Sequence, residues 1–190
     1  LHLTEISKIK TTIIYATPTL LKALLRFGKL HKYDFSELRL VLFAGEIFPI
    51  EPLKELSKIW NSSKKKMILV GVNYPNEELH QLIDLYTKDD SVLILTETTS
   101  NLHHKKVVNS LDQLIFSLDD NQFKDLKPDV LITFGGMIIS KKIKQFLRKY
   151  QPKHHWNIDT EKATNTFFCL SEFIQTTPVD FFLNFNNSVE

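Results

Sequence analysis

Short apolar runs alternate along this chain with stretches whose apolar residues recur every third or fourth position. The runs at residues 11–16, 38–44, 67–71, 92–96 and 129–134 predict buried strands, because largely apolar segments of this length suit a sheet covered on both faces, and residues 155–158 read as a further strand. Between them the spacing turns helical. Thr17-Pro18 opens a helix with Leu20, Leu21, Leu24 and Leu25 on one face, and Gly28 can stop it. Pro49 opens a second helix with Leu53, Leu56 and Ile59-Trp60 inward, after a Gly45-Glu46 turn. Further helices are predicted at residues 77–86, 110–116, 122–126 and 140–150, and the phenylalanines of residues 181–187 predict a terminal helix that docks them. Strands alternating with helices imply an α/β fold, with a mainly parallel sheet, helices on both of its faces and a β-α-β-α segment in front. The polar stretch Asn61-Ser62-Ser63-Lys64 is the expected boundary, dividing the chain into residues 1–60 and 61–190.

Composition narrows the classes. Hydrophobic residues make up 43% and charged residues 24%, which fits a globular protein and excludes a disordered one. The net charge of +2 comes from 24 basic and 22 acidic residues, a balance that gives no case for nucleic acid or an anionic membrane as partner. The local run Lys64-Lys65-Lys66 reads as a solvated turn before a strand. The single cysteine, Cys169, sits in the apolar run Phe167-Phe168-Cys169-Leu170 and is expected to be a buried, inert thiol. One unpaired cysteine, no apolar stretch of membrane-spanning length and no secretory signal point to the cytoplasm. A start at Leu1 rather than methionine leads us to expect a fragment or a processed chain.

Candidate chemistry concentrates in Leu131-Ile132-Thr133-Phe134-Gly135-Gly136-Met137-Ile138-Ile139-Ser140-Lys141-Lys142, which reads as strand, turn and helix start. Gly135-Gly136 allows a tight turn with accessible N–H groups. Ser140 can cap the following helix, whose positive end favours an anion. Lys141 and Lys142 place two cations where they oppose the helix dipole, so an anionic ligand would relieve them. Gly135, Gly136, Ser140, Lys141 and Lys142 are therefore the expected weak carboxylate site; two exposed lysines with no ligand are the plainer alternative. Glu97-Thr98-Thr99-Ser100-Asn101 follows a strand's carboxyl end, where ligands of open α/β sheets gather, though packing against other domains is the expected role. The pairs His103-His104 and His154-His155 do not suit a metal, since neighbours on a strand point to opposite faces and no zinc spacing is present.

Taken with Thr96-Glu97-Thr98-Thr99-Ser100-Asn101-Leu102-His103-His104 and Pro152-Lys153-His154-His155-Trp156-Asn157-Ile158-Asp159, the segment from Leu131 resembles the middle domain of MenD-type synthases of menaquinone biosynthesis, over roughly residues 60–182. The resemblance implies a Rossmann-like, mainly architectural domain. It implies that the parent enzyme, with thiamine diphosphate and magnesium, joins isochorismate to decarboxylated 2-oxoglutarate. In that family a Gly/Ser-Lys-Arg sequence at this helix start reaches substrate carboxylates; Ser140-Lys141-Lys142 falls on it, with lysine in place of arginine at 142, which keeps charge and loses the planar bidentate grip. His103 likewise stands where the family has arginine. The family's cofactor motifs, a glutamate of the first domain and Gly-Asp-Gly…Asn of the third, are not found in the chain. No cofactor is thus expected here, the thiamine-binding domains are the missing partners, and exposed surfaces make self-association an expectation.

The stretches Tyr15-Ala16-Thr17-Pro18-Thr19-Leu20-Leu21 and Leu38-Arg39-Leu40-Val41-Leu42-Phe43-Ala44-Gly45-Glu46-Ile47-Phe48-Pro49 resemble part of an amino-acid adenylation domain of the adenylate-forming type, over residues 9–60. That family's phosphate loop and its catalytic-lysine domain are not found. Two resemblances meeting near Trp60 lead us to expect a chimera. The alternatives to a noncatalytic middle domain are an adenylating-ligase fragment and a nucleotide-binding module, for which a lone Gly-Gly is thin support.

Overall fold

Strands apolar at nearly every position are stable only where both sheet faces are covered, and the chain builds that arrangement. The computed structural model describes residues 13–16, 32–37, 39–43 and 50–189. The chain divides into two compact units, Leu1–Pro49 and Ile50–Glu190. In the first, β1 (Ile13–Ala16) and β2 (Leu40–Phe43) pair in parallel, with Ile13 opposite Leu40. The helix expected after Thr17 and the Gly45-Glu46 turn lie outside the described residues.

The second unit runs α1 (Ile50–Ser62), β3 (Lys66–Val70), α2 (Glu77–Tyr86), β4 (Val92–Thr96), α3 (Leu111–Phe116), α4 (Asp120–Leu126), β5 (Val130–Phe134), α5 (Lys141–Lys149), β6 (His154–Asp159), β7 (Glu172–Gln175) and α6 (Pro178–Asn186). Its strands form one sheet in the order β4-β3-β5-β6-β7, every pairing parallel. Alternate residues of each strand serve opposite faces. One set, with Met67, Leu69, Leu95 and Leu131, packs against Ile115 of α3 and Ile143, Phe146 and Leu147 of α5. The other meets an aromatic layer. Trp156 lies 6.0 Å from Phe185 and 6.4 Å from Trp60 between ring centroids, and Phe134 lies 5.5 Å from Phe182.

Four features depart from the sequence expectations. The helix ahead of the expected boundary belongs to the second unit: Leu53, Leu56 and Trp60 of α1 are buried there, and Trp60 meets Tyr86 edge-on at 5.7 Å. Residues 61–64 thus form the end of α1 and the turn into β3. Lys66 is no part of a solvated turn. It is the buried first residue of β3, its ammonium 5.3 Å from the Trp60 ring and 3.2 Å from Asp89 Oδ2. Phe168 and Cys169 are not a buried pair. Phe168 is 67% exposed with φ of +60°, and Cys169 is half-buried, its thiol pKa raised by burial. Strand β7, Glu172-Phe173-Ile174-Gln175, was not expected, because its flanking residues are polar and only Ile174 is fully buried.

Candidate functional site

The progression of strands reverses between β3 and β5, and in an open parallel sheet the crevice beyond such a switch is where ligands gather. Here the two loops leaving those strands are joined. Gly136 donates its N–H to Val72 O at 2.6 Å, Gly71 to Phe134 O at 2.9 Å, and Val72 to Met137 O at 3.4 Å. A methyl group at Gly71 would collide with the Gly136 carbonyl, and Gly135 holds φ of +79° with Val72 O 2.8 Å from where its Cβ would stand. The Gly-Gly turn thus serves backbone-to-backbone closure, the conformational freedom that glycine supplies.

Beside this closure the start of α5 is held by two carboxylates. Glu97, at the end of β4 and only 8% exposed, accepts the N–H of Ile139 on both oxygens, at 3.0 and 2.9 Å, and the N–H of Ser140 at 2.6 Å. Its own N–H donates to Ser100 Oγ, which donates to Val70 O at 2.7 Å. Ser140 Oγ donates to Asp112 Oδ1 of α3 at 2.6 Å and, as the expected cap, accepts from Ile143 N–H at 3.2 Å. Charge-assisted bonds of this length are among the stronger polar contacts. They tie the ends of β3 and β4 to the loop that follows β5.

The five residues singled out in the sequence do not share one hollow. Ser140 borders an open depression of about 350 Å³ with Glu97 and Asp112. Lys142, half-buried, borders another of about 290 Å³, with its ammonium 4.0 Å over the ring of Phe116. Lys141 is exposed. Gly135 and Gly136 line a larger cavity, about 640 Å³, which opens beyond the ends of β5 and β6 and brings in Lys144, Arg148 and Lys162. Arg148 stacks over Phe168 at 4.7 Å and donates to Thr166 O at 2.9 Å. Composition gave no sign of this basic cavity, because its cations lie on α5 and on the β6–β7 loop and converge only in the fold.

The family model described as the middle domain of thiamine pyrophosphate enzymes matches residues 51–166. The chain belongs to that family of middle domains. It is 54% identical over 136 residues to the 2-succinyl-5-enolpyruvyl-6-hydroxy-3-cyclohexene-1-carboxylate synthase of Flavobacterium johnsoniae, covering 71% of this chain and 24% of that protein. It is 44% identical over 151 residues to the synthase of the same name from Christiangramia forsetii, covering 77% and 24%. With that of Flavobacterium psychrophilum it shares 42% over 147 residues, covering 77% and 27%. The chain spans about a quarter of the length of these curated relatives.

Among the described residues no three His, Cys, Asp or Glu side chains come together. Three of the described histidines have structural partners. His80 Nε2 lies 2.7 Å from His103 O, and His104 Nε2 lies 2.8 Å from Asp84 Oδ1, which fastens the loop after β4 to α2. His155 is fully buried on the α3–α5 face and bonds Thr133 Oγ1 at 2.9 Å; burial holds its pKa down to about 4. Asn157 Nδ2 donates to the same Thr133 oxygen at 3.1 Å. No described helix is long and apolar enough to cross a membrane.

Proposed function

We propose that this middle domain is the architectural, noncatalytic part of a thiamine-diphosphate-dependent menaquinone-biosynthesis synthase, whose whole reaction joins isochorismate and 2-oxoglutarate with loss of carbon dioxide. The observation that carries the reading is the 54% identity to a protein with that synthase name, of which the chain accounts for 24%. Thiamine diphosphate and magnesium would be held by the parent's other domains and not by this one. Those domains are the proposed partners. Val72, Tyr74, Met137 and Ile139, exposed at 42%, 88%, 73% and 53% on the loops after β3 and β5, are apolar surface that a neighbouring domain or a second copy would cover. The chain is assigned to the cytoplasm on its lone cysteine and the nature of the pathway. Of the segment that resembles an adenylation domain, the part ahead of Ile50 is read as a fragment joined to the middle domain in a chimera.

Within this reading the start of α5 meets a substrate carboxylate through Lys141 and Lys142, with Ser140 and the Gly135-Gly136 turn setting their position. Affinity of the isolated chain is millimolar or weaker, because exposed lysine–carboxylate contacts contribute only about 0–1 kcal/mol each. Titration with succinate, followed by NMR, should move the Lys141 and Lys142 side-chain signals. The double variant Lys141→Ala/Lys142→Ala should abolish the effect and leave the fold intact. Lysine signals that stay still in the parent chain would refute the carboxylate role. The purified chain should form no product from isochorismate and 2-oxoglutarate with thiamine diphosphate and magnesium added; cofactor-dependent product would overturn the noncatalytic assignment. It should also show no amino-acid-dependent ATP–pyrophosphate exchange, and robust exchange would favour the ligase-fragment alternative.

The nucleotide-binding alternative draws on one observation, the cavity of about 640 Å³ where Lys144, Arg148 and Lys162 meet the Gly-Gly turn. Equilibrium dialysis with ADP distinguishes the two. Submillimolar binding that Arg148→Ala removes would favour the nucleotide module over a purely architectural domain.

A further inference from the structure

We propose that Glu97 is the positioning residue of the α5 start, an internal carboxylate that takes the two amides just ahead of that helix. A ligand carboxylate there is then met by Lys141 and Lys142 and never by the amides of Ile139 and Ser140. The inference rests on the carboxylate role proposed above for its functional meaning and on geometry for its substance. A helix start presents N–H groups without partners inside the helix, and they attract an anion. The two amides just ahead of the helix, those of Ile139 and Ser140, already end on Glu97 at 2.6–3.0 Å. Of the first three amides inside the helix, that of Ile143 ends on Ser140 Oγ, which leaves those of Lys141 and Lys142. Glu97 is buried and fixed from behind by Ser100, which links it to Val70 of β3. Asp112 holds Ser140 from the side of α3.

Two consequences follow for ligand choice. An incoming carboxylate cannot displace Glu97 cheaply, since that would leave a buried charge without its three bonds. The negative charge of Glu97 also offsets the positive helix end. Attraction at this place comes chiefly from lysine ammonium groups on flexible stems, which accept carboxylates of varied shape and spacing less selectively than a fixed amide cradle. Glu97 sets the direction of the α5 start, and with it the root from which both lysines extend.

The test uses the full 190-residue chain and two variants, with formate and succinate as probes. In the parent chain formate should leave the Ile139 and Ser140 amide signals unmoved. In Glu97→Ala the same amides should shift on adding millimolar formate, and the melting temperature should rise with formate in that variant alone. Parent amides that respond to formate as strongly as the variant's, or variant amides that ignore it in a folded chain, would overturn the proposal. Should Glu97→Ala fail to fold, Glu97→Gln keeps the shape and replaces a charged acceptor by a neutral one of roughly half the strength. Hydrogen exchange at Ile139 and Ser140 should then quicken by about tenfold, and unchanged rates would sink the assignment. Succinate separates the two ideas. If it leaves Lys141 and Lys142 unmoved while the formate and exchange results hold, the carboxylate role of the lysines fails and Glu97 keeps its place.

Discussion

The two faces of the five-stranded sheet are built from different materials. The face under α1, α2 and α6 is an aromatic layer: Trp60, Trp156, Phe181, Phe182 and Phe185 are fully buried there and lie within 4.9–6.4 Å of one another in successive pairs. The face under α3 and α5 is largely aliphatic, and it carries buried His155 and, at its carboxyl end, the Glu97 clamp. Large rings bury much area, so the first face contributes chiefly stability, although the Tyr86 hydroxyl and Trp156 Nε1 are buried there without partners. The second takes on more buried polar groups, most of them bonded, which offsets their cost, with His155 Nδ1 left unpartnered, and it is the face whose helix α5 bears the basic residues of the candidate site.

The largest blow to this contrast would come from Trp156→Ala. Emptying the centre of the aromatic layer should cost about 3–5 kcal/mol in urea unfolding, and a loss under about 1 kcal/mol would show that the layer is not the stabilising face. The next effect is one of pH and belongs to the other face. His155 is neutral in the fold, with its pKa lowered by burial from 6.5 to about 4. Protons therefore favour the unfolded chain: stability is complete above 6.5 and falls as pH drops towards 4. The full loss from this group is about 3 kcal/mol. His155→Gln should flatten that part of the profile, and an unaltered slope between pH 6.5 and 4 would break the assignment. Lys66→Ala should cost about 1–2 kcal/mol, through lost packing of its stem and the cation over Trp60. A neutral result would return Lys66 to the solvated run in which the sequence placed it. Smallest of all, Lys141→Ala/Lys142→Ala should leave stability unchanged within about 0.5 kcal/mol, which confines those lysines to binding.

Strands β3, β4 and β5 were legible because buried parallel strands are mostly apolar, and both faces of this sheet are covered; β6, with only Trp156 and Ile158 apolar, was legible from its place in the alternation of strands and helices. Strand β7 was not, since an edge strand with one fully buried residue has no such run. Ser140 was legible as a cap because its partner, Ile143, is three residues on. Glu97 was not legible as the anion of α5: its partners lie more than forty positions away, and no local pattern encodes that pairing. The same holds for Lys66, whose burial depends on Trp60 from the helix before it and Asp89 from the turn beyond α2. Short-range spacing marks elements and caps, while closure of the loops at the strand ends emerges only when the sheet brings distant turns together.

The chain contains two tryptophans, and both stand in the aromatic layer, 6.4 Å apart and flanked by Phe185. Excitation energy passes between rings at that separation, so the pair emits as one coupled reporter. Intrinsic fluorescence of this protein is therefore a one-sided signal. It tracks the loosening of α1 and α6 from the sheet and is silent on the start of α5, where a ligand could bind or Glu97 let go without any change in colour.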